Sequence, residues 1–113
     1  MINTSVIAVR VGIFCKNEEW GRETLEDFCF LIPDDCIQTR MKDRVCFRDG
    51  SVIQVIRVRN ELSVRGYKFD KVFVQQNIDE DFVNTYIKPC LVNRNYRVYR
   101  EYIDEETRQK CFV

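Results

Sequence analysis

The residues able to do chemistry in this chain are few and scattered. An apolar run, Val72-Phe73-Val74, ends in Gln75-Gln76, and the acids Asp79, Glu80 and Asp81 follow just beyond it. Carboxylates at the end of a buried strand can hold a divalent cation or activate water, but amides carry no charge and take no proton at neutral pH. The three acids stand where a helix is expected to begin, so their expected role is to meet its positive end on a solvated face. Six cysteines are present and no histidine. Cys15, at the end of the first apolar run, has no imidazole to activate it and would need a lysine or carboxylate as base. Cys15, Cys29, Cys46 and Cys90 lie in apolar segments, and no Cys-x-x-Cys pair occurs. Reduced thiols used as small core residues are expected. These residues yield no catalytic group, no metal site and no cofactor site.

Basic and aromatic residues interleave in two places. Arg57, Arg59, Arg65, Lys68 and Lys71 run along one loop with Tyr67 and Phe69 between them. Such a loop can grip a nucleic-acid backbone and stack a base, or meet an acidic protein surface. The plain alternative is a loop whose aromatic rings tuck into the core. Arg94, Arg97 and Arg100 alternate with Tyr96, Tyr99 and Tyr102 on the last long strand-like run. Strand alternation puts Arg97, Tyr99 and Glu101 on one face and Tyr96, Val98, Arg100 and Tyr102 on the other. Tyrosine and arginine are the residues of interface hot spots, while an edge strand protected by charge is the plain alternative. The candidate partner-binding residues are therefore Arg65, Tyr67, Lys68, Tyr96, Arg97, Tyr99, Arg100 and Tyr102.

The rest of the chain must hold these groups in place. Its 113 residues are read as a single domain, 1–113, and a 45% apolar content with eight Phe supports a real core. A chain of this size buries roughly two thirds of its unfolded surface, enough to fold without staples. Eighteen basic residues balance eighteen acidic ones. That balance argues against a dominant nucleic-acid or anionic-membrane surface and fits a protein that associates with itself or a partner. No signal peptide is expected, because Val6-Ile7-Ala8-Val9 is short and broken by Arg10. No stretch approaches membrane-spanning length, so a cytoplasmic location without membrane contact is expected.

Residues 5–15 are nearly continuous in apolar character and read as a strand covered on both faces. Asn17 can cap a helix in which Trp20, Thr24 and Phe28 repeat at a spacing of four and Leu25, Cys29 and Ile32 fill the adjoining row; Pro33 stops it. Gly21 is expected to weaken that helix by about 1 kcal/mol relative to alanine. A polar connector, 34–42, precedes two β-rich runs, 44–48 and 51–58, joined by Asp49-Gly50, a strong hairpin signal. A fourth strand, 71–75, leads to a second helix capped by Asn77 or Asp79 and ended by Pro89. The final strand lies near 96–103, with a charged tail that turns apolar at Cys111-Phe112-Val113. The order predicts an α/β single layered domain: a mixed β-sheet of about five strands, including the hairpin at 44–58, and two packed helices.

The ordered pattern Asp49-Gly50-Ser51, then Arg65-Gly66-Tyr67-Lys68-Phe69-Asp70, then Val72-Phe73-Val74, then Ile87-Lys88-Pro89-Cys90-Leu91 resembles the ATPase core of phage terminase large subunits. In that family the buried strand ends in an acidic pair, which falls here on Gln75 and Gln76. No Gly-x-x-x-x-Gly-Lys-Ser/Thr phosphate loop occurs in the chain either. The resemblance therefore implies a degenerate core, of phage or mobile-element origin, without ATP hydrolysis. The function expected is that of a small non-enzymatic protein binding a partner protein, as an inhibitor of a host system or as a self-associating accessory factor. The alternatives are a nucleic-acid-binding module using the loop 57–71, and a residual nucleotide-binding domain completed by another chain.

Overall fold

The central strand explains the layering. In β1 (Arg10–Cys15) the side chains of Ile13, Phe14 and Cys15 are all completely buried, although successive side chains point to opposite faces. A strand of that kind needs cover on both sides. The computed structural model describes residues 8–93 and 97–113, so the first part of the expected strand 5–15 lies outside the described residues. Around β1 lie β2 (Ile37–Arg40), β3 (Arg44–Phe47), β4 (Val52–Arg57), β5 (Lys71–Val74), β6 (Val98–Ile103) and β7 (Lys110–Phe112). The sheet order is β2-β3-β4-β1-β5-β6-β7. The four middle strands, β4, β1, β5 and β6, are parallel, and β2–β3, β3–β4 and β6–β7 pair antiparallel.

The α/β class and mixed sheet are as expected, but the described residues hold seven strands rather than about five. Both unexpected strands lie at the sheet edges. β2 carries only Ile37 as an apolar residue, and its other three residues are exposed. β7 is three residues long and is defined by its ladder with β6. Its presence makes β6 an interior strand, which removes the edge-strand reading of residues 97–103. The hairpin 44–58 forms where expected. Gly50 takes a φ of 91° in its turn, a left-handed conformation that costs glycine little.

One face of the sheet is covered by α1 (Glu18–Phe30), capped by Asn17, whose Oδ1 accepts hydrogen bonds from Glu19 N and Trp20 N. Leu25 and Cys29 pack against Ile13, Cys15, Val45, Phe47, Ile53 and Val55. An aromatic group closes the β5–β7 side of this face: Phe73 lies 4.8 Å from Phe28, 5.0 Å from Tyr99 and 5.2 Å from Phe112, centroid to centroid. Gly21 has a packing reason that spacing could not show. A Cβ there would lie 2.6 Å from Val55 Cγ1 and 2.7 Å from Cys15 Sγ, so helix and sheet meet at this point because the side chain is missing.

The opposite face is covered by a 3-10 turn, Glu61–Val64, and a helical segment, 80–90. Together they bury Phe14, Ile56, Val64, Val72, Val74, Ile78, Val83 and Ile87. The second helix is not the regular one expected. One α-turn, Glu80–Phe82, gives way to a π-helical stretch, Val83–Ile87, and then to a 3-10 turn, Lys88–Cys90. Asp79 stands at its start but makes no capping bond. Pro89 lies inside the last turn instead of ending the helix. It has no N–H to give and its ring crowds the carbonyl four residues back, which disfavours a regular α-turn here.

Candidate functional site: a sealed crevice and an open cleft

In open parallel sheets, ligands bind beyond the C-terminal ends of the strands, where successive connections leave in opposite directions. In this chain β1 is followed in the parallel order by β4 on one side, and β4 by β5 on the other, so that point lies between β1 and β5. The residues gathered there are Lys16 and Asn17 after β1, Gln75 and Gln76 after β5, and Glu101 in β6. They are bonded to one another. Gln75 Oε1 accepts hydrogen bonds from Lys16 N at 2.9 Å and Asn17 N at 3.2 Å. Glu101 accepts from Trp20 Nε1 at 2.6 Å through one carboxylate oxygen and from Gln76 N at 3.1 Å through the other. Both acceptor side chains, Gln75 and Glu101, are buried.

The backbone N–H groups of a strand-to-helix turn are the usual cradle for an anion. Here the side chains of Gln75 and Asn17 already accept from those of Lys16, Asn17, Glu19 and Trp20. The amide at position 75 is thus a strut between β1 and β5. Glu101 does the same between β6, the indole of α1 and the end of β5. Lys110 completes the arrangement: its Nζ donates to Thr24 Oγ1 at 2.7 Å and lies 4.7 Å from the centre of the Trp20 ring. Asp79, Glu80 and Asp81 are exposed beyond the crevice.

A different surface is open. Between the turn 61–68 and the helical segment 80–90 lies a cleft of about 490 Å³. Its lining includes Leu62, Arg65, Tyr67, Lys68, Tyr86 and Cys90. Leu62 is 64% exposed and Tyr86 40% exposed. Cys90 Sγ donates to Val64 O at 3.3 Å, tying the floor to the opposite wall, and Lys68 Nζ donates to Pro89 O at 3.2 Å across the rim. Tyr67 stacks on Phe69 with centroids 5.8 Å apart, which fixes its ring. The π-helical stretch displays Thr85 and Tyr86 on the cleft side while burying Val83 and Ile87. Arg65 donates its backbone N–H to Leu62 O at 3.3 Å, while its exposed side chain makes no hydrogen bond or ion pair among the described residues.

The structure thus brings Arg65, Tyr67 and Lys68 together on one cleft. It divides the candidates on β6 between the two faces of the sheet. Tyr99 is drawn into the aromatic group beneath α1, and the guanidinium of Arg97 lies 5.3 Å from the centre of its ring. On the other face Arg100 Nη2 donates to Ile78 O at 2.7 Å, and the buried Nη1 has no hydrogen-bond partner among the described residues. Tyr102 is 44% exposed. Tyr96 lies outside the described residues. Sequence reasoning missed Leu62 and Tyr86 as cleft residues and Trp20 and Glu101 as partners. The alternation that set Glu101 beside Tyr99 could have shown an acid aimed at a packed face, where it needs a donor.

Apolar side chains are also exposed at the far end of α1. Phe30 is 89% exposed and Leu31 80%. Beside them a groove of about 490 Å³, lined by Val9, Val11, Ile32, Phe47 and Ile53 among others, opens onto solvent. Every cysteine is a free thiol. Burial pushes Cys15 up to about 11 and raises Cys29 and Cys90 as well, which disfavours the reactive thiolate at neutral pH. No family model, curated protein or solved structure matches this chain. Among the described residues no helix is long and apolar enough to cross a membrane.

Proposed function

We propose that this chain is a non-enzymatic interaction protein that acts by binding a partner protein. The observation that carries the reading is the contrast in polar satisfaction. The groups at the strand ends, where such a sheet holds its ligands, are bonded to each other. Large apolar and basic side chains elsewhere have no such cover: Leu62, Tyr86 and Arg65 at the cleft, and Phe30 and Leu31 at the end of α1. Exposed apolar side chains that fall side by side, as Phe30 with Leu31 and Leu62 with Tyr86 on one cleft do, are the kind of surface a partner covers. On this reading the motif order across 49–91 is the remnant of a nucleotide-splitting core, and the metal-carboxylate position has become a structural amide.

The test uses the purified full chain and two variants, Phe30→Asp with Leu31→Asp and Arg65→Glu with Lys68→Glu. Light scattering reports self-association, and affinity capture from the producing cells followed by mass spectrometry reports partners. A stoichiometric complex or dimer that one of the variants abolishes is expected. A strictly monomeric chain that retains nothing, or measurable ATP turnover, would overturn the reading.

A further inference from the structure

We infer that the cleft between 61–68 and 85–90 is the partner-docking site and that it takes an acidic segment carrying an aromatic side chain. This rests on the reading of the chain as a protein-binding module and names the partner's chemistry. The cleft has the volume of a pocket for a small ligand or a few side chains. Its walls are held before any partner arrives: the Cys90 thiol is bonded to Val64 O and Tyr86 O, Lys68 spans to Pro89 O, and Tyr67 is stacked on Phe69. A site fixed in this way loses little side-chain freedom on binding.

Charge and shape set the occupant. Arg65 and Lys68 face one acid, Glu61, so the rim favours an anion. Arg65 can offer a two-pronged contact that suits a carboxylate. Leu62, largely open to solvent, and Tyr86, partly open and with its ring 4.9 Å from that of Phe82, offer a surface for a ring. At Gly66 an added Cβ would meet no atom within 4 Å, so the backbone there leaves the mouth unobstructed. Nucleic acid is a poorer fit. Its affinity comes from many phosphate contacts, and two cations in a chain of zero net charge release few counterions.

The experiment titrates the full isotope-labelled chain with a fluorescein-labelled twelve-residue peptide of alternating Glu and Phe. The same peptide with Lys for Glu, the same peptide with Ser for Phe, and an oligouridine RNA serve as comparisons. The Glu–Phe peptide should shift the backbone amides of 61–68 and 85–90; Arg65→Glu with Lys68→Glu should weaken it at least tenfold, and Arg65→Glu alone, which removes no bond of the cleft wall, should weaken it with an unchanged thermal midpoint. The Lys peptide and the Ser peptide should each bind more weakly. Shifts confined to other residues, unchanged binding in the double variant, or preference for the RNA would overturn the assignment. If wild type and this variant capture the same cellular partner while Phe30→Asp with Leu31→Asp does not, the cleft assignment fails and the interaction reading stands.

Discussion

The crevice beyond β1 and β5 and the cleft beside the π-helical stretch both carry polar side chains, yet only the cleft leaves one without a bond among the described residues. Both gather polar side chains at the ends of strands and turns. In the crevice Gln75 and Glu101 accept hydrogen bonds from the backbone and indole donors that point at them. In the cleft Arg65 points at solvent, and Leu62 and Tyr86 remain open. Buried polar groups that satisfy one another hold the fold together and have nothing left to offer a ligand. Groups left over at a preformed cavity are the ones available for recognition.

Breaking the crevice should therefore cost stability. Glu101→Ala strands the Trp20 indole N–H and the Gln76 amide, and a loss of about 3 kcal/mol in urea unfolding is expected. A change below about 0.5 kcal/mol, the range of an ordinary surface substitution, would show that the carboxylate is not structural. Gly21→Ala should destabilise by about 1–3 kcal/mol despite better helix propensity, because the methyl collides with Val55 and Cys15. A gain in thermal midpoint would refute that packing. Gln75→Ala should cost about 1–2 kcal/mol, because Lys16 N and Asn17 N lose their acceptor.

The buried thiols give a pH dependence of defined sign. Cys15 in the fold titrates near 11 rather than at its ordinary value of 9.0, so the folded chain holds its proton longer than the unfolded one. Its contribution to stability is complete below pH 9.0 and is lost as pH rises towards 11. Unfolding midpoints measured across that range should fall, and Cys15→Ala should flatten part of the decline. The smallest effect belongs to the cleft: Arg65→Glu should leave stability within about 0.5 kcal/mol, since the side chain has no partner to lose.

Much of the fold was legible because it rests on local signals. The hairpin turn at Asp49-Gly50, the Asn17 cap and the doubly buried run at Ile13, Phe14 and Cys15 are each set by a few adjacent residues. The edge strands were not legible, since β2 and β7 exist through their ladders with β3 and β6. The irregular second helix was also hidden, because the spacing of Val83, Tyr86 and Ile87 suits one stripe of a regular α-helix, whereas in the fold Val83 and Ile87 are buried and Tyr86 stands at the cleft. At the candidate site, Arg65, Tyr67 and Lys68 could be picked out by composition alone. Leu62 and Tyr86 could not, since they join that cluster only once the turn and the helical segment face each other. The two glutamines showed that charge was missing, but the use of Gln75 depends on contacts 58 and 59 residues away in sequence and that of Gln76 on Glu101, 25 residues away.

The most direct measurement is a titration of the isotope-labelled chain with saturating Mg-ATP, following the amides of Lys16, Asn17 and Gln76. If Gln75 and Glu101 close the crevice, these three signals should stay in place, and no phosphate should be released. Saturable shifts at those amides, or turnover of the nucleotide, would contradict it.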